Sequence, residues 1–394
     1  MALPAETRLE RLLRRGNIAS ENCPLMGEYW YRPGELLVHR DDCERLAREL
    51  DRWEAEPCEL PDKLRSLREC DFPVQRYRLS ARMSVDAVVN RLRQVADGPE
   101  PRVGPNLVLG AMQSWAFFTG DIAVPSDDRL ELPKGDAGPF TVAVIDTGLV
   151  TSGEADEFVS AAGARLVAGA NDDDPLDVEP RDGWLDDADA HGTFVAGIVL
   201  REAPGATVRC DGVLNSGIAD ELEVADAIVR NGDADVLNLS LGAYAPHDVP
   251  PVSIVEAING LRPEVAVVAA AGNYGRRRPL FPAALKRVIA VAAVDDTVPT
   301  GGLPPRAAFS NHGWWVDACA PGQSVLSNFV CFAEPDGTTF EGWARWSGTS
   351  FAAPRVAGII AAKAMASGRP ANEVAFELLH ASGLPWRPDL GTLV

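Results

Sequence analysis

Residues 142–148 read VAVIDTG, and the fold turns on how this stretch is read. Val142, Ala143, Val144 and Ile145 run together with no polar residue between them, and three of the four are β-branched. A strand half exposed to water would alternate, so this one is buried on both faces, as in a parallel sheet covered by helices. Asp146 closes the run, and Thr147-Gly148 supplies a turn. Similar apolar runs follow at 235–239, 265–269 and 288–291, with helical stretches such as 193–200 and 223–230 between them. From Phe140 onward this alternation predicts a doubly wound parallel α/β sheet, in which functional groups collect at the carboxyl ends of the strands.

Upstream the pattern differs. A short strand at 35–39 follows the Pro33-Gly34 turn signal. Residues 41–53 carry Leu46, Leu50 and Trp53 at helical spacing, with Asp41-Asp42 as the expected N-cap. Residues 74–79 alternate as a half-buried strand does. Ser84 caps a helix over 85–95 with Val88, Leu92 and Val95 on one face, and 103–109 forms a last strand. Two βα halves on one small sheet predict an α+β ferredoxin-like domain. The expected organisation is an irregular or short helical arm at 1–34, this domain at 35–119, a Pro-, Gly- and Asp-rich linker at 120–139, and the large α/β domain at 140–394.

Composition narrows the function classes. With 394 residues and 46% hydrophobic content, the chain can bury one large core and a small one. No apolar run reaches the length of a membrane span; 265–272 and 356–365 read as core strand and core helix. The first residues carry Glu6, Arg8, Glu10, Arg11, Arg14 and Arg15 without an apolar h-region, which predicts a cytoplasmic protein. Seven cysteines without tight spacing form neither a zinc pattern nor a disulfide framework. Reduced thiols are expected, although Cys23, Cys43, Cys58 and Cys70 leave room for one bridge. A net charge of −20 repels nucleic acid and anionic membranes, so neither is expected as a partner.

Four segments carry chemistry. Asp146, at the end of a buried strand, is a carboxylate able to orient an imidazole. In AHGTFVAG (190–197) His191 opens a helix and projects from a rigid element. In SGTSFAAPRVAG (347–358) Ser350 begins a helix of small residues, whose N-terminus favours negative charge developing beside a nucleophile. Pro354 is expected in the first turn, where its missing N–H costs nothing. In AAAGNYG (269–275) Asn273 stands in a glycine-bracketed loop as a candidate oxyanion donor, paired with the Ser350 backbone N–H. Singly, such residues are a turn aspartate, a core histidine, a loop amide and an N-cap serine. The remaining histidines (His39, His247, His312, His380) lack such context and read as structural.

Together and in this order, the four segments resemble the Asp, His, Asn and Ser signatures of the subtilisin-like (subtilase) family. Residues 236–242 (VLNLSLG) resemble its substrate-binding strand, and 281–294 and 317–322 its later core strands; the resemblance covers about 136–394. It implies a three-layer α/β/α domain with a mainly parallel sheet, and a serine endopeptidase acting through an acyl-enzyme with no cofactor. Asp146, His191 and Ser350 would be the triad, with Asn273 at the oxyanion. Ser240, Leu241 and Gly242, with Ala270, Ala271 and Gly272, would bind the polypeptide substrate. Leu280, before Phe281-Pro282, would give a shallow apolar pocket, with Arg276, Arg277 and Arg278 either near its rim or merely solvated.

Phe194 stands where the family commonly has a second histidine, and Phe351 and Arg355 where it has Met and His. Ala203-Pro204-Gly205 follow the His191 helix directly, so the insertion that builds a tight calcium site is missing. The acidic stretch 172–189 (Asp172, Asp173, Asp174, Asp177, Asp186, Asp187, Asp189) then reads as a solvated loop, a recogniser of basic substrates or a weak cation site. By pattern the α+β domain resembles the family's propeptide, an intramolecular inhibitor and folding chaperone. Residues 103–115 would lie along the cleft, with autoprocessing between Leu109 and Asp121. Its rival is a permanent regulatory or docking domain. Two other functions stay open: a catalytically silent subtilase-fold binding module, and an esterase or amidase using the same triad. The substrate strand favours peptides, because it can pair with a peptide backbone.

Overall fold

The structure is a computed structural model, describing residues 19–23, 27–80, 83–95, 98–111, 122–151, 153–169, 173–177, 181–186, 188–215, 217–299 and 301–394. Its residues divide into two compact units. One comprises Met1–Leu109 with Ala219–Arg230 and Ala243–Leu261; the other comprises Gly110–Ile218, Asn231–Gly242 and Arg262–Val394.

The second unit is organised by a sheet whose strands run, edge to edge, Trp386–Arg387, Gly391–Leu393, Ala318–Pro321, Val288–Val294, Ala266–Ala270, Val236–Leu239, Thr141–Asp146, Thr207–Gly212 and Leu166–Ala168. All pairs are parallel except the first. This is the mainly parallel α/β/α class expected from the alternating runs. Val144 sits between Asn238 and Cys210, and Val142–Ile145 are fully buried, as an uninterrupted apolar strand requires. Two helices, His191–Glu202 and Thr349–Ser367, pack on one another and over these strands. Small residues permit the approach: a Cβ on Gly358 would lie 2.6 Å from that of Glu202.

A second, antiparallel sheet joins Val325–Ala333, Thr339–Trp346 and Val124–Pro125. Half-buried Arg201 ties it to the His191 helix, donating to Leu326 O at 3.0 Å and Ser327 Oγ at 2.9 Å. The described part of the expected linker is therefore not free. It supplies the Val124–Pro125 strand, Pro133 O accepts from Arg165 at 2.7 Å, and Gly138 N donates to Gly205 O at 3.1 Å.

In the first unit, Gly27–His39, Arg40–Arg52, Glu56–Cys58, Val74–Arg78, Val85–Val95 and Val103–Ala111 give the order β-α-β-β-α-β, with the short helix Arg65–Glu69 inserted. The antiparallel strand order, last-first-third-second, is the split βαβ arrangement of ferredoxin-like sheets. Three expectations need correction. Residues 19–23 and 27–34 are no irregular or helical arm: Ala19–Cys23 pairs antiparallel with Gly27–His39, on which alternate residues Tyr29 and Tyr31 are buried. The strand Glu56–Cys58 is too short and polar to show a period. The first helix is capped by His39, whose Nδ1 accepts from Asp41 N at 3.2 Å; Asp42 instead accepts from Arg102 N and Nε, both at 3.1 Å.

The two later segments of this unit join the same core. Leu67 N donates to Asp226 Oδ1 at 3.0 Å, Arg32 pairs with Asp220 at 3.2 Å, and Lys63 pairs with Glu223. Among the described residues, Cys43, Cys58, Cys70, Cys210, Cys319 and Cys331 are free thiols, and no helix is long and apolar enough to cross a membrane.

Candidate active site

All four candidate catalytic residues belong to the second unit. Asp146 ends the Thr141–Asp146 strand, fully buried, and His191 is the first residue of its helix, also fully buried. His191 Nδ1 lies 2.6 Å from Asp146 Oδ1, which also accepts from Thr147 N at 2.7 Å. A carboxylate only accepts, so this contact assigns the proton to Nδ1 and leaves a lone pair on Nε2. Two features permit the approach. Ala190 adopts the left-handed region, with φ 58°, and Gly192 lies so close to the turn after Asp146 that a Cβ there would fall 2.1 Å from Gly148 O. Neither His191 Nε2 nor Asp146 Oδ2 has a hydrogen-bond partner among the described residues.

Ser350 is the second residue of its helix, with Oγ 3.4 Å from Ser240 O rather than bonded to His191. Catalytic hydrogen bonds are often unmade without substrate and tighten in the Michaelis complex. Pro354 corrects the expectation of a first-turn proline. It lies beyond that turn, where an ordinary residue would donate its N–H to Ser350 O. Ser240 Oγ donates to that carbonyl instead, at 3.0 Å, and accepts from Asn238 Nδ2 at 2.9 Å.

The amide of Asn273 is oriented by the nucleophile turn. Its Oδ1 accepts from Thr349 N and Thr349 Oγ1, both at 2.9 Å, which fixes Nδ2 as the donor end of the amide. Thr349 Oγ1 in turn accepts from Gly272 N at 2.9 Å. Gly272 has φ 100°, and a Cβ there would sit 2.6 Å from Asn311 Nδ2 and 3.0 Å from Leu280 Cδ2. Asn311 fastens the loop, donating to Ala271 O at 2.9 Å and accepting from Arg276 N at 3.0 Å. Ala270, Ala271 and Leu280 are fully buried. Arg277 forms a two-pronged pair with Asp389 at 2.6 and 2.9 Å.

Leu241 and Gly242 form a short strand paired antiparallel with Ala111 and Gly110, and Ala111 N donates to Gly217 O at 2.9 Å. The chain's own Gly110-Ala111 thus occupies a strand position between Gly217 and Leu241–Gly242. Residues 112–115 of the expected cleft segment lie outside the described residues.

Phe194 and Phe351 are core aromatics. Phe351 lies 4.6 Å from Phe194 and 5.3 Å from the His191 ring, and Trp346 meets the same imidazole edge-on at 5.5 Å. Arg355 pairs with Glu202 at 3.0 Å on the neighbouring helix. The acidic stretch is less solvated than expected: Asp174 and Asp189 are buried. Asp189 Oδ2 accepts from Asp177 N at 2.9 Å and Asp186 N at 2.7 Å, and Asp174 Oδ2 from Thr147 Oγ1 at 2.7 Å and Ala190 N at 3.0 Å. Burial drives the Asp174 carboxyl well above the usual carboxylate range, against the hydrogen bond from Thr147. Asp172 and Asp187 lie outside the described residues. Among those described, no three His, Cys, Asp or Glu side chains are placed to hold a metal ion.

Sequence reasoning missed Thr147, Asp174, Asn311 and Thr349. Both threonines lie inside quoted motifs, but their partners are distant in sequence.

The chain matches known proteins over the unit that carries this site. A thermophilic serine proteinase of Bacillus sp. (strain AK1) is 35% identical over 251 residues, covering 60% of this chain and 54% of that protein. The chain thus spans about half the length of that relative. Thermitase of Thermoactinomyces vulgaris is 33% identical over 247 residues, covering 59% of this chain and 77% of that protein. Among solved structures, fervidolysin from Fervidobacterium pennivorans, a keratinolytic enzyme related to subtilisin, aligns with TM-score 0.59 and 21% identity over 92% of this chain and 60% of its own, a likeness of fold. The Subtilase family profile matches residues 138–375, well over half of the chain and inclusive of Asp146, His191, Asn273 and Ser350, so the chain belongs to the subtilase family.

Proposed function

We propose that the protein is a serine endopeptidase that cleaves polypeptides through an acyl-enzyme. The observation that carries this reading is the buried 2.6 Å contact of His191 Nδ1 with Asp146, which leaves Nε2 as a base on the end turned away from the carboxylate. His191 takes the proton of Ser350 Oγ as that oxygen attacks the peptide carbonyl. Asp146 holds the tautomer and stabilises the imidazolium. Asn273 Nδ2 and the Ser350 N–H receive the oxyanion, and His191 then protonates the leaving amine; water repeats the sequence on the ester. Leu241–Gly242 would hold the substrate backbone by strand addition. Leu280, packed at Gly272, supports a shallow apolar pocket for the residue before the scissile bond. A serine-directed fluorophosphonate probe tests the reading: it should label wild type and spare Ser350→Ala and His191→Ala, with casein hydrolysis lost in parallel. Equal labelling or hydrolysis by Ser350→Ala would sink it.

The N-terminal domain is proposed as an intramolecular inhibitor that is cleaved from the rest. Support comes from Gly110-Ala111, which already pair with Leu241–Gly242 as a substrate would. The first cut is expected between Leu109 and Asp121 and absent in Ser350→Ala. N-terminal sequencing of active wild-type protein decides it, because an intact Met1 or Ala2 terminus on fully active enzyme favours a permanent domain.

A further inference from the structure

One carboxylate oxygen holds both members of the acid–base pair. Asp174, outside any helix or strand, directs Oδ2 at Thr147 Oγ1 (2.7 Å) and at Ala190 N (3.0 Å). Thr147 follows Asp146 in the chain, and Ala190 precedes His191. With the 2.6 Å contact between His191 and Asp146, these links close a ring through Asp146, Thr147, Asp174, Ala190 and His191. Two further bonds brace it: Gly192 N donates to Thr147 Oγ1 at 2.9 Å, and Asp174 N to Leu149 O at 3.2 Å.

The ring answers a local need. Ala190 holds φ 58°, a left-handed conformation that an L-residue rarely adopts and that persists only where its surroundings over-determine it. Without Asp174 its buried N–H would lose this acceptor, and Thr147 Oγ1 would be free to turn away from Gly192. Asp174 is 6% exposed and is repelled by Asp189 and Asp146, so an acid is retained where burial opposes its charge.

We propose that Asp174 is a positioning residue of the acid–base pair, its Oδ2 fixing the spacing of Asp146 and His191 through Thr147 and Ala190. The assignment rests on the triad reading above. Because Asp174 acts through these two residues, its loss slows the chemical step and leaves substrate binding alone.

The test uses the full chain. Asp174→Ala should lower kcat about 10–100-fold, the range of small misplacements of catalytic groups, with KM within about twofold. Asp174→Asn keeps an acceptor oxygen and should recover most of the loss. If Asp174→Ala does not fold, Thr147→Val against Thr147→Ser puts the same question to the other side of the bond, and valine should reproduce the loss. An activity-independent readout is the downfield proton resonance of His191 Nδ1–H, identified by its absence in His191→Ala. It should weaken or move upfield in Asp174→Ala and persist in Asp174→Asn. Unchanged kcat and resonance in Asp174→Ala, or equal loss in the Ala and Asn variants, would overturn the proposal. If wild type and Ser350→Ala hydrolyse peptides alike, the triad reading fails, and the resonance still decides the role of Asp174.

Discussion

Replacing Asn273 probes the oxyanion assignment at a single atom. Its Oδ1 is occupied by two donors of Thr349, so Nδ2 is the end that can meet developing negative charge. Asn273→Ala removes that donor. The loss of one side-chain oxyanion donor costs about 10²–10³-fold in kcat, a size measured on a subtilisin and therefore carried over from a relative. KM should hardly move, because the oxyanion exists only in the transition state. The size of a second perturbation follows from the structure. Thr349→Val deletes one of the two anchors on Oδ1 and the acceptor of Gly272 N, while the Thr349 N–H anchor survives. A hydrogen bond contributes about 1 kcal/mol, so kcat should fall roughly 5–10-fold, well short of the alanine variant. Asn273→Asp keeps both anchors but turns an acceptor on the oxyanion, and should be at least as slow as Asn273→Ala. Steady-state kinetics on one peptide substrate separate the cases. Full kcat in Asn273→Ala, or a Thr349→Val loss equal to it, would refute the geometry.

Other outcomes follow from single residues. Burial pushes the Glu221 carboxyl from 4.5 up to about 7, against hydrogen bonds from Ser253 and Leu107 that pull it down. The native state then holds this proton more tightly than the unfolded chain, so its stability contribution is whole below pH 4.5 and is lost as pH rises through 7, by on the order of 3 kcal/mol. Urea midpoints of the first unit at pH 5 and pH 8 check this, and an unchanged slope in Glu221→Gln would count against it. Gly192→Ala places a Cβ 2.1 Å from Gly148 O and must part the two catalytic segments, so kcat should fall at least about 10²-fold; activity near wild type would show that the site tolerates the separation. Because Ala203-Pro204-Gly205 follow the His191 helix directly, with no room for a calcium-binding insertion, EDTA should leave Tm within about 2 °C, and a larger fall would reveal a structural cation.

The sheet was legible because burial on both faces leaves a plain mark. Val142–Ile145 could only be apolar, and so could Ala266–Ala270 and Val288–Val294. The first unit was harder to read where its elements are short. Glu56–Cys58 is mostly exposed, so no alternation survives in three residues. The pairing of 19–23 with 27–31 went unseen because Tyr29 and Tyr31 bury aromatic rings beside charged neighbours, a pattern that polar composition obscures.

The candidate site divides along another line. Asp146, His191 and Ser350 stood out because they stand at the end of a strand or the start of a helix, and Asn273 because it stands in a glycine-bracketed loop just past a buried strand. Their supports left no such mark. Asp174 is one acid among nine between 172 and 189, and only the fold turns it inward while Asp182 stays at the surface. Ser240 was read as a substrate contact, yet its hydroxyl takes the place of the N–H that Pro354 lacks, 114 positions along the chain. A proline one turn behind a nucleophile orphans the nucleophile's own carbonyl. That orphan must find a donor from another element, and the sequence cannot say which, because the choice depends on which strand end lies against the helix. What a sequence pattern carries is the backbone's local demand; the partner that meets it is a property of the tertiary fold.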